Sequence, residues 1–222
     1  MGTITRTFAN NITTSGVFKP TAFNNASFDN VTSVPEGAVE GGNMVLLSTQ
    51  TASASASISF TTGIDSTYKE YMFVFNNIHP ATDGAFFTFQ ANASGESGFN
   101  ETITSTMFRA FHIEVSDASG LGYQTSGDQA QGTSYNQIFF DGISNGSDSS
   151  GSGTLHLFNP SNTTFVKHFI ANTMHMNPTG GEGAIHSFAA GYFNTTSAIT
   201  EIDFKMTTGN IDAGTIQMFG IL

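Results

Sequence analysis

The sequence predicts an all-β protein: an antiparallel β-sandwich, jelly-roll-like, preceded by an extended N-terminal arm. Three observations carry that expectation. From about Met44 onward the chain breaks into short apolar runs of strand length, separated by clusters of Gly, Asn, Asp and Ser. Interruptions by Pro, Gly and Asn leave no helical stretch of convincing length. Before Met44 no period is sustained: "FKPTAFNNASFDNVTSVPEGAVEGG" (18–42) holds two prolines and three glycines, and it has one lysine against three acidic residues. The expected division is therefore an arm over 1–43 and a sandwich over 44–222.

The arm is the first element. Its apolar residues Ile4, Phe8, Ile12, Val17, Phe18, Phe23, Phe28 and Val31 are spaced too irregularly for one helix or strand face. They are also too many for a segment that merely waves in water. Ile4, Phe8, Val17, Phe18, Phe23, Phe28 and Val31 are therefore the candidate assembly residues, each an anchor for a pocket on an adjacent subunit. Burying one Phe contributes about 1.5 to 3 kcal/mol, enough for a few of them to offset much of the ordering entropy.

The strands follow in order. "ASISF" (56–60) precedes "YMFVFNNI" (71–78), which is apolar on both faces, with Tyr71, Phe73 and Phe75 against Met72, Val74 and Ile78. That pattern suits a central strand covered on both sides. "AFFTFQA" (85–91), "MFRAFHIEV" (107–115) and "YNQIFF" (135–140) come next. In "GTLHLF" (153–158), Leu155 and Leu157 face inward. "KHFIANTMHM" (167–176) and "AIHSFAAGYF" (184–193) precede "EIDFKM" (201–206), where Ile202, Phe204 and Met206 alternate with Glu201, Asp203 and Lys205 to give one buried and one wet face. "GTIQMFGIL" (214–222) closes the chain. Ten such runs at this spacing favour two packed sheets. The expected core includes Phe73, Phe87, Phe89, Leu155, Ile202, Phe204 and Ile216.

Composition narrows the function. Charged residues are only 10% of the 222, and Ser, Thr, Asn and Gly take the polar positions. With a net charge of -11 and six Lys and Arg, a phosphate backbone would be repelled, so no nucleic-acid partner is expected. There is no cysteine for a disulfide framework or a thiolate zinc site. No run approaches a membrane span, and "MGTITRTFANN" has neither a basic region leading an apolar stretch nor a myristoylation pattern, so neither membrane nor secretory export is expected. The core uses 22 Phe and no Trp, which reads as packing rather than as a sugar-stacking platform.

Chemistry-bearing motifs are absent. No nucleophile elbow, phosphate-binding loop, zincin motif or dinucleotide fingerprint occurs. The six histidines are His79, His112, His156, His168, His175 and His186, and they read as strand residues; His168 and His175 face opposite sides of their strand. Asp141, Asn145 and Asp148 offer oxygen donors without the spacing of a calcium loop, and Glu96, Glu101 and Glu182 scatter among turns without forming a glycosidase pair. No catalytic residue, cofactor or metal ligand is expected.

"TITRTFANNITTSGVFKPTAFNNASFDNVTSVP", "LLSTQTASASASISFTTGIDSTYKEYMFVFNNIHPATDGAFFTFQ" and the closing "GTIQMFGIL" together resemble structural proteins of marine tailed bacteriophages. The resemblance covers most of the chain, and that family carries no catalytic residues to transfer. It implies a non-enzymatic virion protein made in the host cytoplasm and placed on the particle surface. The expected role is capsid decoration or cement, as a homo-oligomer in contact with the major capsid protein or tail components. The alternative it implies is a tail-fibre or receptor-binding module that recognises host-surface glycans.

Overall fold

The computed structural model describes residues 44–178 and 182–222; the arm residues Ile4, Phe8, Val17, Phe18, Phe23, Phe28 and Val31 lie outside the described residues. Twelve strands run in chain order: β1 (Met44–Thr51), β2 (Ile58–Phe60), β3 (Glu70–Pro80), β4 (Phe87–Ala93), β5 (Ile103–Ile113), β6 (Ser119–Tyr123), β7 (Asn136–Gln137), β8 (Gly151–Phe158), β9 (Lys167–Asn177), β10 (Gly183–Phe193), β11 (Ile199–Met206) and β12 (Ile211–Ile221). They form an eight-stranded sheet, β1-β12-β3-β8-β9-β10-β5-β6, and a four-stranded sheet, β2-β11-β4-β7. Every pairing is antiparallel.

The pairing order is that of a jelly roll. β1 lies beside β12, β2 beside β11, β3 beside β8 and β4 beside β7, as when one long antiparallel ribbon is rolled over two sheets. Two hairpins are inserted into that plan. β5–β6 enters between β4 and β7, β9–β10 enters between β8 and β11, and both extend the larger sheet beyond β8. The larger sheet is therefore twice as wide as the smaller one. Past β8 its inner face is lined by the segment that follows β7: Ile138 O accepts from Thr173 Oγ1 (2.5 Å), Phe140 N donates to Ser187 Oγ (3.2 Å) and Ser144 N donates to Met176 O (2.9 Å).

Between the sheets lies a phenylalanine core. Phe204 on β11 sits within about 5 to 6 Å, centroid to centroid, of Phe60, Phe73, Phe75, Phe87 and Phe89, so one ring contacts both sheets. Phe73, Phe87, Phe89, Leu155, Ile202, Phe204 and Ile216 are all buried, as the alternation predicts. Phenylalanine suits this space because edge-to-face packing fills volume and leaves no polar atom to satisfy.

Three local readings are corrected. Ile78 was expected opposite Phe75, yet both are buried: the register shifts between them, with Asn77 at φ 52°, and the bulge returns Ile78 to the core side. Gly214 on β12 accommodates that bulge, since a Cβ there would meet Asn77 O at 2.6 Å. Asp203 was expected wet and is buried, accepting from Ser59 Oγ (2.5 Å) and Tyr135 Oη (2.8 Å). β7 ends at Gln137, and Ile138, Phe139 and Phe140 reach the core from a loop rather than from a strand.

Candidate interaction surface

The outward face of the eight-stranded sheet is the feature that composition would not predict. On the smaller sheet the side chains pointing away from the core are polar, namely Ser59 on β2, Thr88, Gln90 and Asn92 on β4, and Glu201, Asp203 and Lys205 on β11, although Thr88, Gln90 and Asp203 are buried. The larger sheet differs. From β8 through β9, β10 and β5 to β6, no outward position carries Asp, Glu, Lys or Arg.

Strand register builds this face in rows. One row runs Thr154, Asn172, Phe188, Phe108, Tyr123, and the next runs Ser152, Met174, His186, Ala110, Leu121. A third crosses Met72, His156, Ile170, Ala190 and Thr106. Phe108 and Phe188 stack with centroids 4.7 Å apart. Ile170 is 49% exposed, Met174 55% and Leu121 74%, so large apolar groups stand in solvent across neighbouring strands.

Four of the six histidines belong to the same face. His186 Nε2 donates to Asn172 Oδ1 (2.5 Å) and its ring lies 4.1 Å from that of Phe188. His156 Nδ1 donates to Glu70 Oε1 (2.5 Å), His112 Nε2 donates to Asp117 Oδ1 (2.7 Å), and His168 rests beside Tyr192. Tyr123 donates to Asp128, and that hydrogen bond holds the phenol above its ordinary range. Carboxylates appear at one end of the sheet, where Glu114 and Asp148 border a hollow of about 350 Å³ with Met174, Met176 and Ala184.

A second hollow, about 520 Å³, lies on the other side of β5 and β10. Arg109, Asp141 and Asn177 meet there among Phe86, Phe111, Ile113 and Ile185. Arg109 pairs with Asp141 and places its guanidinium over Phe111 (4.8 Å) and Phe140 (5.4 Å). Asp141 and Gly142 both have positive φ, and a Cβ on Gly142 would fall 2.3 Å from Gly84 O, so this turn requires glycine. The pair ties β5 to the loop that lines the wide sheet.

His175 is the buried exception among the histidines. It is fully enclosed and stacked 5.5 Å from Phe139, near the backbone of Phe140 and Gly142 but with neither ring nitrogen in hydrogen-bond geometry. Burial lowers its pKa from 6.5 to about 4. Lys167 is also enclosed, donating to Phe165 O (2.8 Å) and Thr195 O (3.1 Å), and burial lowers its pKa.

The structure does not assemble the scattered oxygen donors into a site. Asp141 pairs with Arg109, Asn145 N donates to Asp83 Oδ1, and Asp148 borders the end hollow. Glu101 is buried and accepts from Ala93 N (2.8 Å), a structural role. Among the described residues no group of three or more His, Asp or Glu side chains is placed to hold a metal, and no helix is long and apolar enough to cross a membrane.

Sequence reasoning had a signal for the outward face and applied it only to "YMFVFNNI". The same two-sided apolarity occurs in "KHFIANTMHM", where Ile170, Met174 and Met176 alternate with the core residues Phe169 and Ala171. No protein-family model, curated protein or solved structure matches the chain.

Proposed function

We propose that the protein is a non-enzymatic structural component of a bacteriophage particle: a decoration or cement subunit on the capsid exterior that assembles as a homo-oligomer. The observation that carries this reading is the outward face of the eight-stranded sheet, which exposes large apolar side chains among His, Ser, Thr and Asn and carries no Asp, Glu, Lys or Arg from β8 to β6. Clusters of exposed apolar side chains depleted of such charges are rare on monomers and common where subunits meet. A cement subunit acts by bridging neighbours, and many weak contacts repeated over a shell achieve this without any catalytic group.

A tail-fibre or receptor-binding role is the second reading, and the hollow around Arg109, Asp141 and Asn177 favours it. Polar groups converge there among apolar walls, which is the usual make-up of a small-ligand site. Copy number separates the two. Gel densitometry of purified particles should give a subunit count comparable with that of the shell protein for a cement subunit, whereas a count of only a few per particle would favour the fibre. Absence from purified particles, or clearing of a host polysaccharide by the purified protein, overturns both.

A further inference from the structure

We propose that the occupant of the eight-stranded sheet's outward face is a second copy of this chain, packed sheet to sheet. The proposal rests on reading that face as an assembly surface and goes further by fixing the contact as this face against the same face of a second copy. Charge supplies the first argument. The chain carries 17 acidic residues against six Lys and Arg, so two copies repel wherever their ordinary surfaces approach. From β8 to β6 the outward positions hold no carboxylate, which makes this the area where two copies can meet without stacking like charges. The nearby carboxylates Glu70, Asp117 and Asp128 lie at its margins and are already engaged by His156, His112 and Tyr123, so a basic partner would find no anion at the outward positions themselves.

Relief supplies the second argument. In three rows a small side chain sits between larger ones: Ala190 lies between Ile170 and Thr106, Ala110 between His186 and Leu121, and Ala184 between Met176 and His112. Ridges formed by Ile170, Met174, the Phe108–Phe188 stack and Leu121 therefore stand beside shallow spots floored by single alanines. A self-complementary two-fold contact needs that property, because every ridge must find a hollow on an identical surface. The carboxylates Glu114 and Asp148 at the end of the face supply a polar rim around the apolar centre.

The test uses the full-length protein and three variants. Ile170→Glu and Leu121→Glu place a carboxylate on the face, while Val115→Glu makes the same change at an apolar residue 76% exposed beyond the end of β5. Light-scattering mass across a dilution series should show the parent and Val115→Glu as assemblies of two or a multiple of two. In Ile170→Glu and Leu121→Glu the dissociation constant should rise about a hundredfold, because association would desolvate an unpaired charge. Circular dichroism and melting of the dissociated variants should match those of the dissociated parent, since neither residue belongs to the core. Because the chain has no cysteine, Ile170→Cys also supplies a clean probe: its thiol should be protected from maleimide in the assembled form and reactive after dilution.

A parent that stays monomeric at high concentration overturns the proposal, as does association that neither glutamate weakens. A monomer whose Ile170→Cys thiol is protected overturns it too, since another part of the same chain would then cover the face. Detection of the protein at high copy in particles despite a monomeric parent would leave the cement reading standing and this proposal refuted. A two-fold assembly absent from particles would do the reverse.

Discussion

Phe204 shows how much one residue can carry. Its ring meets five other phenylalanine rings from β2, β3 and β4 and is fully buried. Phe204→Ala should lower the unfolding free energy by about 3 to 5 kcal/mol, because the surrounding rings belong to two sheets and cannot collapse into the gap. Urea titration measures the loss. His175 makes a different kind of contribution. Its folded pKa is about 4 and its unfolded one 6.5, so between those values the unfolded chain binds a proton that the folded chain does not. Stability therefore falls as pH drops from about 6.5 to about 4, by roughly 3 kcal/mol over the interval. The loss is absent above that window. His175→Phe should flatten this part of the pH–stability profile relative to the parent, and an unchanged slope would show that other groups cause it.

At the scale of the element, β3 and β12 show where the chain departs from plain alternation. The bulge at Asn77 reverses the facing of the residues beyond it, and Gly214 is the position on β12 that admits it. Gly214→Ala should destabilise by about 1 to 3 kcal/mol, from the strained φ and the contact with Asn77, and thermal melting would detect the shift. Alternation made most strands legible, with Leu155 and Leu157 on β8 and Ile202 and Phe204 on β11 as the clearest cases. Where alternation fails, reading fails with it. β1 opens with four apolar residues in succession and carries a bulge between Leu46 and Ser48, and β6 is five residues with glycine at two of them. Asp203 escaped because a hydroxyl from Ser59 and a phenol from Tyr135 satisfy it, partners distant in sequence. The outward face escaped because its meaning depends on which strands lie side by side, and that order is set by pairing, not by local pattern. The first described strand begins at Met44, so a chain lacking residues 1–43 retains every residue of the two sheets. Its circular dichroism and melting should stay close to those of the full chain, and failure to fold would move the boundary of the sandwich into that segment.

For the sandwich as a whole, the two hairpin insertions explain both the unequal sheets and the proposed role. A jelly roll with equal sheets buries the inner faces of both, whereas β5–β6 and β9–β10 widen one sheet to twice the other. That widening adds two things at once: an inner margin lined by the loop after β7, and an outward face broad enough to receive another molecule. The inner margin is closed by the Arg109–Asp141 pair and the hydrogen bonds to Ser187 and Thr173. Among the described residues the outer face has no such closure, and its Ile170, Met174 and Leu121 are exposed. On the proposed reading, a chain that satisfies its buried Asp203 and Lys167 while leaving these groups exposed gains further stability when they are covered by association.

Burial of this face in an assembled phage particle is the proposal's decisive feature, and reconstruction of the intact particle would reveal it. Such a reconstruction should show jelly-roll density on the capsid exterior, with the eight-stranded sheet turned against a neighbouring subunit and Ile170, Met174 and Leu121 inside that contact. Density in which the eight-stranded sheet faces solvent while the four-stranded sheet makes the contacts would contradict it, as would particles that lack the protein altogether.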